Sequence, residues 1–424
     1  EVTLIERRDY DMFSPCGLPY AIEGVVGNFD DLKHTVPSTR RLRKLLRHEA
    51  LSIDVEGKRV EVKGLESDGV SWIDYDALII ATGSRPFVLP IPGAEFLGRG
   101  LHIVSGLETA VELREAALRG RRAVVVGGSA IGLEIAVALK RLGLEVAVIE
   151  LCPQPFPRNL DPDMGTLIAD YLRSQGIDIR FGRGIDRING SDRVESVEVA
   201  GETIPADVVV MAVGTRPESR IATEAGIATE RGAIITNERM ETSVEDVYSI
   251  GDCALTFDYI DHKPAKMDLA TTAFRQAVVA GTNAAGGDMV YDGALGTFVS
   301  LIGGLEVAST GYSSRTAEDH GYEVITGRAN MQTKPRWMPG AKDISVKLVV
   351  DAGSGRILGG QAIGEEGAAW RVNVVALAIR RGMNVRELSV IELAYCPAVS
   401  NLYDPLLIAA DAAMRRFTRA HKPK

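Results

Sequence analysis

Ala123-Val124-Val125-Val126-Gly127-Gly128-Ser129-Ala130-Ile131-Gly132 runs from a short apolar stretch into a glycine-rich turn, and Leu133 to Leu142 continues it as a helix-forming segment. Glu145-Val146-Ala147-Val148-Ile149-Glu150 follows as a second apolar run closed by an acid. Strand, turn, helix, strand and terminal acid in that order predict a βαβ dinucleotide-binding unit. Gly127 permits the tight turn, the small Ser129 stands where a pyrophosphate must approach the helix N-terminus, and Gly132 lets helix and strand meet. Gly128 and Ile131 complete the turn that would face the dinucleotide. Glu150 lies where the adenosine ribose hydroxyls need an acceptor. Its charge would repel a 2′-phosphate, so NADH is the expected cofactor and NADPH the less favoured one.

The same design occurs twice. Glu1-Val2-Thr3-Leu4-Ile5-Glu6 matches Glu145 to Glu150 as a short strand ending in an acid. Asp76-Ala77-Leu78-Ile79-Ile80-Ala81-Thr82-Gly83-Ser84-Arg85-Pro86 matches Asp207-Val208-Val209-Val210-Met211-Ala212-Val213-Gly214-Thr215-Arg216-Pro217. Both read as strands buried on two faces of a parallel sheet, and both close on Ala-x-Gly-Ser/Thr-Arg-Pro. Two tandem α/β units are therefore expected. In the second unit the glycine turn precedes the acid-ended strand. Its counterpart in the first would fall before Glu1, so the parent protein is expected to continue upstream by about 25–30 residues. Glu6 would be the ribose-binding acid of that unit.

The 424 residues carry 48 Lys and Arg against 57 Asp and Glu, a net charge of −9, with 46% apolar residues and 44 glycines. These shares exclude a disordered or collagen-like chain. The acidic balance argues against nucleic acid or an anionic membrane as partner. No run reaches the roughly 18 apolar residues of a membrane helix, and no signal peptide is visible. Cys16, Cys152, Cys253 and Cys396 form no CxxC pair and no cluster with histidine, so no metal site is expected, and a reducing cytoplasm fits best.

Downstream, Tyr248-Ser249-Ile250-Gly251-Asp252 ends a strand with an acid that could reach a cofactor hydroxyl, and a helix is expected from about Leu269 to Ala285. Ser345 to Val350 alternates as a strand with one wet face, Asp351 to Gly355 is a turn, Ile357 to Ile363 returns, and Trp370 to Arg381 is a helix. This part reads as a separate α+β domain. Arg40-Arg41-x-Arg43-Lys44-x-x-Arg47-His48 reads as a basic helix, either a solvated face or a holder of an anionic group. Trp337-Met338-Pro339-Gly340 would line a substrate or interface pocket. Cys152 and Cys253 read as structural.

Ser14-Pro15-Cys16 suggests an N-cap, a first helical proline, and a thiol in the first helical turn, where unpaired N–H groups favour a thiolate. With Phe13-x-x-Cys16-Gly17-Leu18-Pro19-Tyr20, the two Ala-x-Gly-Ser/Thr-Arg-Pro copies, Gly127 to Glu134, Gly251-Asp252, Tyr395-Cys396-Pro397 and Asp404-Pro405, the chain resembles the flavin-dependent pyridine nucleotide–disulfide oxidoreductases. Within them it resembles the single-cysteine branch of coenzyme A disulfide reductases, NADH oxidases, NADH peroxidases and persulfide reductases.

The resemblance implies an α/β fold of two Rossmann-like domains, for FAD and then NAD, plus a C-terminal α+β dimerisation domain. The bounds would be 1–105 and 226–295 for FAD, 106–225 for NAD(P), and 296–424 for dimerisation. It implies that Glu6, Thr82, Gly83, Asp252, Leu269 and Ala270 line FAD, and that Gly214 borders the nicotinamide nucleotide. Cys16 would be the redox thiol, taking hydride equivalents from NADH through flavin and reducing a disulfide, persulfide or polysulfide. Ala21 occupies the position of a second cysteine, which excludes an internal disulfide there.

Some positions depart from the branch. Met12, Pro15, Phe274 and Val278 replace the Ser, Asn, Asn and Arg of its coenzyme A reductases, which weakens coenzyme A recognition. In a homodimer the partner's C-terminal domain would complete the active site. Tyr395 would orient substrate, donate a proton or pack, and Cys396 would act as a resolving thiol or as a small replacement for alanine. The alternatives are an oxidase or peroxidase acting on oxygen or peroxide, and, in another class, a flavin-free fragment or nucleotide-binding subunit of an electron-transfer complex.

Overall fold

The computed structural model describes residues 1–66 and 69–421. The chain forms two compact units, one of Glu1–Leu89, His102–Leu118 and Val213–Ala294, the other of Pro90–Leu101, Arg119–Ala212 and Leu295 onward.

The second unit contains the parallel sheet expected from the opening motif. Its strands lie in the order Asp178–Phe181, Glu145–Glu150, Arg122–Val126 and Val208–Met211. Every residue from Ala123 to Val126 and from Val208 to Met211 is buried, as a sheet covered on both faces requires. The crossover helices are Ala130–Arg141 and Pro162–Ser174.

The same unit carries a five-stranded antiparallel sheet in the order Phe298–Ile302, Leu305–Gly311, Ile357–Gly364, Asp343–Asp351, Val324–Gln332. Here one expectation fails. Asp343–Asp351 has no wet face, because residues from Ile344 to Val350 are all buried and the helix Pro405–Ala420 packs on this strand and its neighbour. The alternating polar residues are paired instead of solvated: Lys347 Nζ lies 2.7 Å from both Asp161 and Asp163. A second internal charge pair joins the helix Ala368–Arg380 to the start of Pro405–Ala420. Arg371 donates through Nε and Nη2 to the two carboxylate oxygens of Asp404 at 3.0 and 2.7 Å, and both residues are 2% exposed.

In the first unit, Val2–Glu6 pairs in parallel with Leu42–Leu46, and Leu78–Ile80 pairs in parallel with Val247–Ser249. In the second unit the corresponding strands are joined through Arg122–Val126. Here they stand as two separate pairs among the described residues. Ile79 is consequently 36% exposed and Val2 61%, so the first apolar run is not buried on both faces as expected.

The basic segment from Arg40 is not a helix. Leu42–Leu46 and His48–Asp54 are strands, because pairing with Val2–Glu6 satisfies the backbone, and Arg47 turns the chain between them at φ 54. Lys44 is held by Asp11 at 2.5 Å, and Arg47 faces Asp9 and Glu66, so these cations meet carboxylates.

The two Ala-x-Gly-Ser/Thr-Arg-Pro copies meet each other. Ser84–Pro86 and Thr215–Pro217 pair antiparallel, with Arg85 opposite Arg216. The flanking bonds are reciprocal: Phe87 N–H donates to Gly214 O at 2.9 Å and Glu218 N–H to Gly83 O at 2.8 Å. Among the described residues no helix is long and apolar enough to cross a membrane.

Candidate functional site

Cys16 is exposed, and none of the four cysteines is in a disulfide. It lies in a single 3-10 turn, Pro15–Gly17, ahead of the helix Leu18–Glu23, rather than in the first turn of one α-helix. Pro19 has no N–H to give to Pro15, so the turn closes through Leu18 N–H to Pro15 O instead. Ser14 stands at the cap position, but its hydroxyl is 2.8 Å from His34 Nε2 and caps nothing.

The turn is pinned on both sides. Met12 and Phe13 pair with His34 and Lys33, and Ser14 N–H donates to Leu32 O at 2.9 Å. Beyond the turn, Arg114 Nη1 donates to Ala21 O and Ile22 O at 2.7 and 2.8 Å, holding carbonyls at the helix end. The thiol thus projects from a fixed turn.

Glu6, at the end of its strand, accepts Arg8 Nε and Nη2 at 2.8 Å each and Arg8 N–H at 2.9 Å. Burial works to raise the Glu6 carboxyl, but the Arg8 hydrogen bonds and charge outweigh it and leave it lowered. Arg8 was not singled out by sequence, since nothing in a run of Arg and Asp marks one arginine as the partner.

Thr82 donates to Glu218 O. Gly83 and Gly214 have φ 71 and 101, and a Cβ on either would meet nothing within 4 Å. Each is therefore a left-handed turn with open space above it, the form needed where a flat or phosphorylated ligand approaches backbone. Asp252 sits in the 3-10 turn Gly251–Cys253 and accepts Ser84 Oγ at 2.8 Å. Burial pushes its carboxyl up, and the Ser84 hydrogen bond only partly opposes this. The helix Ala270–Ala284 starts at Leu269 with no side-chain cap and no acid in its first turn. These features fit FAD: an open glycine turn, a half-buried carboxyl for a hydroxyl and an uncapped helix N-terminus. The glycine turn that cradles pyrophosphate in the second unit has no counterpart among the described residues of the first.

In the second unit, Gly127 has φ 117, and a Cβ on Gly132 would lie 2.1 Å from Gly127 O. Only glycine allows that approach. Ser129 caps the helix Ala130–Arg141 without a side-chain bond, and Ile131 is exposed on its first turn. Glu150 accepts the N–H groups of Gly128 at 2.6 Å and Cys152 at 2.7 Å, which fixes the carboxylate beside the turn. The residues fit a dinucleotide with ribose hydroxyls at Glu150.

Glu134, in the same helix, accepts Ser300 Oγ at 2.6 Å. Burial raises its carboxyl above the ordinary 4.5, with the Ser300 bond opposing. A folded-state value above the unfolded one means that stability is lost as pH rises through that interval. Glu134→Gln, which can still accept from Ser300, should therefore be more stable than wild type at pH 7, and the gap should close near pH 4. Urea unfolding at both pH values checks this; an unchanged gap contradicts it.

Tyr395 and Cys396 lie in the second unit on an exposed turn closed by Val399 and Ser400 N–H groups on Cys396 O, each 2.8 Å. Cys253 is fully buried in an apolar cluster with Ile80 and Val247, as a structural thiol should be. Phe274 and Val278 are 64% and 40% exposed on the helix Ala270–Ala284. Among the described residues no group of three His, Cys, Asp or Glu side chains is placed to hold a metal.

The family profile described as pyridine nucleotide-disulphide oxidoreductase matches residues 1–277, and that of its dimerisation domain matches 299–404. An NADH oxidase of Methanocaldococcus jannaschii is 36% identical over 423 residues, covering 99% of this chain and 94% of that protein. A CoA-dependent NAD(P)H sulfur oxidoreductase of Pyrococcus abyssi is 33% identical over 97% of this chain and 92% of its own length. The solved NAD-dependent persulfide reductase of A. fulgidus superposes with a TM-score of 0.94 at 33% identity, over 99% of this chain and 79% of that one.

Proposed function

Because the chain belongs to the pyridine nucleotide–disulphide oxidoreductase family, we propose that it is an FAD-dependent enzyme that takes electrons from NADH and uses Cys16 to reduce a persulfide, polysulfide or disulfide. The observation that carries this reading is the exposed Cys16 thiol on a pinned turn, in the same unit as the open Gly83 turn and the half-buried Asp252. When bound, FAD supplies two-electron transfer between NADH and sulfur. Glu6, Thr82, Gly83, Asp252, Leu269 and Ala270 hold and orient it. Gly127, Gly128, Ser129, Ile131, Gly132 and Glu150 bind NADH.

The thiolate of Cys16 attacks the outer sulfur of the acceptor. A Cys16–sulfur bond forms, the acceptor S–S bond breaks, and one thiolate leaves. Two electrons from NADH then cleave the mixed disulfide, releasing the second thiolate and restoring Cys16. The sum is NADH, a proton and a disulfide giving NAD⁺ and two thiols. The exposed Phe274 and Val278 favour an apolar acceptor flank over a phosphorylated one.

The match of residues 299–404 to the family's dimerisation domain supports a homodimer. In that dimer Tyr395 of one subunit would orient substrate over the other's Cys16, with Cys396 beside it. The 36% identity to an NADH oxidase supports a second reading, with oxygen as acceptor. NADH consumption measured in parallel with oxygen, peroxide, coenzyme A disulfide and polysulfide separates the two. Polysulfide or disulfide turnover far above oxygen turnover is expected, and the reverse order overturns the first reading.

Glu150 supports selection of NADH. Glu150→Ala should raise the NADPH-to-NADH ratio of kcat/KM by about tenfold or more, which is ~1.4 kcal/mol. An unchanged ratio would remove Glu150 from the specificity assignment.

A further inference from the structure

Arg8 touches both functional ends of the first unit. Its guanidinium grips the Glu6 carboxylate with two parallel hydrogen bonds, a geometry that fixes plane as well as position. The same group lies 4.8 Å from the Phe13 ring centroid and 5.1 Å from that of Tyr10, and the two rings meet edge to face at 5.7 Å. Lys33, from the strand paired with Met12–Phe13, adds a second cation over Tyr10 at 5.2 Å. Phe13 leads into Ser14, Pro15 and Cys16. That path has little slack: Ser14 N–H is bonded to Leu32, proline fixes one backbone angle, and the turn is a single 3-10 turn. A displacement of Phe13 therefore reaches the thiol.

At its other end, the pair engages both oxygens of the acid that the proposed function assigns to the ribose of FAD. Ribose hydroxyls must share those oxygens with Arg8 or displace it. Displacement moves the guanidinium off the aromatic rings, and sharing weakens the bonds that hold it over them. A lysine could keep the charge, but it offers neither the fork nor the flat stacking face.

We propose that Arg8 is a positioning residue that couples the Glu6 ribose acid to the Cys16 segment, so that nucleotide occupancy and thiol reactivity depend on each other. This rests on the assignment of Glu6 and Cys16 under the proposed function. The experiment uses the FAD-loaded protein as wild type, Arg8→Met, Arg8→Lys and Phe13→Leu. Two rates are read: alkylation of Cys16 by iodoacetamide, followed by mass of the Cys16 peptide, and FAD release, followed by the rise in flavin fluorescence.

Arg8→Met should change the alkylation rate at least fivefold and speed FAD release about tenfold. Arg8→Lys should recover most of the FAD retention without restoring the alkylation rate, which a general loss of packing would not produce. Phe13→Leu, which leaves the Glu6 pair intact, should shift alkylation and leave FAD release within twofold of wild type. It also keeps the proposal testable if Arg8→Met does not fold. Alkylation within twofold of wild type in Arg8→Met, or in Phe13→Leu where only that variant folds, overturns the coupling alone. Turnover that survives Cys16→Ser overturns the functional reading beneath it.

Discussion

Cys16→Ser should bind FAD and NADH as wild type does, still lose its flavin absorbance when NADH is added, and reduce polysulfide or disulfide about a thousandfold more slowly or worse. Serine is nearly the same size, and Cys16 is exposed, so the turn Pro15–Gly17 and its bonds to Leu32 should persist. What disappears is a thiol, whose thiolate is the attacking form. A serine hydroxyl is a far weaker nucleophile, and it forms no bond to sulfur that two electrons could cleave. The split between intact cofactor reduction and lost acceptor reduction is the informative part. Stopped-flow absorbance measures the first, and release of thiol or sulfide measures the second. If both survive, Cys16 is not the redox centre; if both fail, the substitution has damaged the cofactor site.

The largest effect on stability is expected at Asp404. Asp404→Ala leaves Arg371, 2% exposed, with a buried charge whose main acceptor is gone; Gly367 O, at 2.9 Å from Nη1, and the Trp370 ring, at 4.3 Å, are neutral. Breaking such a pair costs about 3–5 kcal/mol. Asp404 also caps the helix Pro405–Ala420 by accepting Leu406 N–H at 2.8 Å, a bond worth ~1 kcal/mol more. A fall of about 10 °C or more in the thermal midpoint is therefore expected. The double variant Arg371→Met with Asp404→Leu should be markedly less damaged than Asp404→Ala, because no orphan charge is left inside. A single variant as stable as wild type would show that the pair is not closed in solution. Tyr395 and Cys396 lie on the turn just before this helix, so loosening it should also disturb them.

The parts of this protein that repeat were legible from sequence. The strands Arg122–Val126 and Glu145–Glu150, the turn between them and the acid Glu150 follow from local rules of size and period, and the structure places them as read. The parts that depend on distant partners were not. Leu42–Leu46 carries helix-like charge spacing, yet it is a strand because Val2–Glu6 lies alongside it. Asp343–Asp351 alternates like a half-wet strand, yet its Lys347 points to acids that sit more than 180 positions earlier in the chain. Arg8 illustrates the same limit at the site: its importance lies in Glu6, Tyr10 and Phe13 converging on one guanidinium, and sequence spacing carries no such information.

The antiparallel contact between Ser84–Pro86 and Thr215–Pro217 has a further consequence. It is self-complementary in the way a two-fold subunit interface is: each copy offers the other the same groups in the reverse direction. The two copies of the motif thus form a local two-fold pairing inside one unit. Two loops related in this way are clasped by each other's backbone, Gly214 by Phe87 and Gly83 by Glu218, so neither can drift without pulling on its twin.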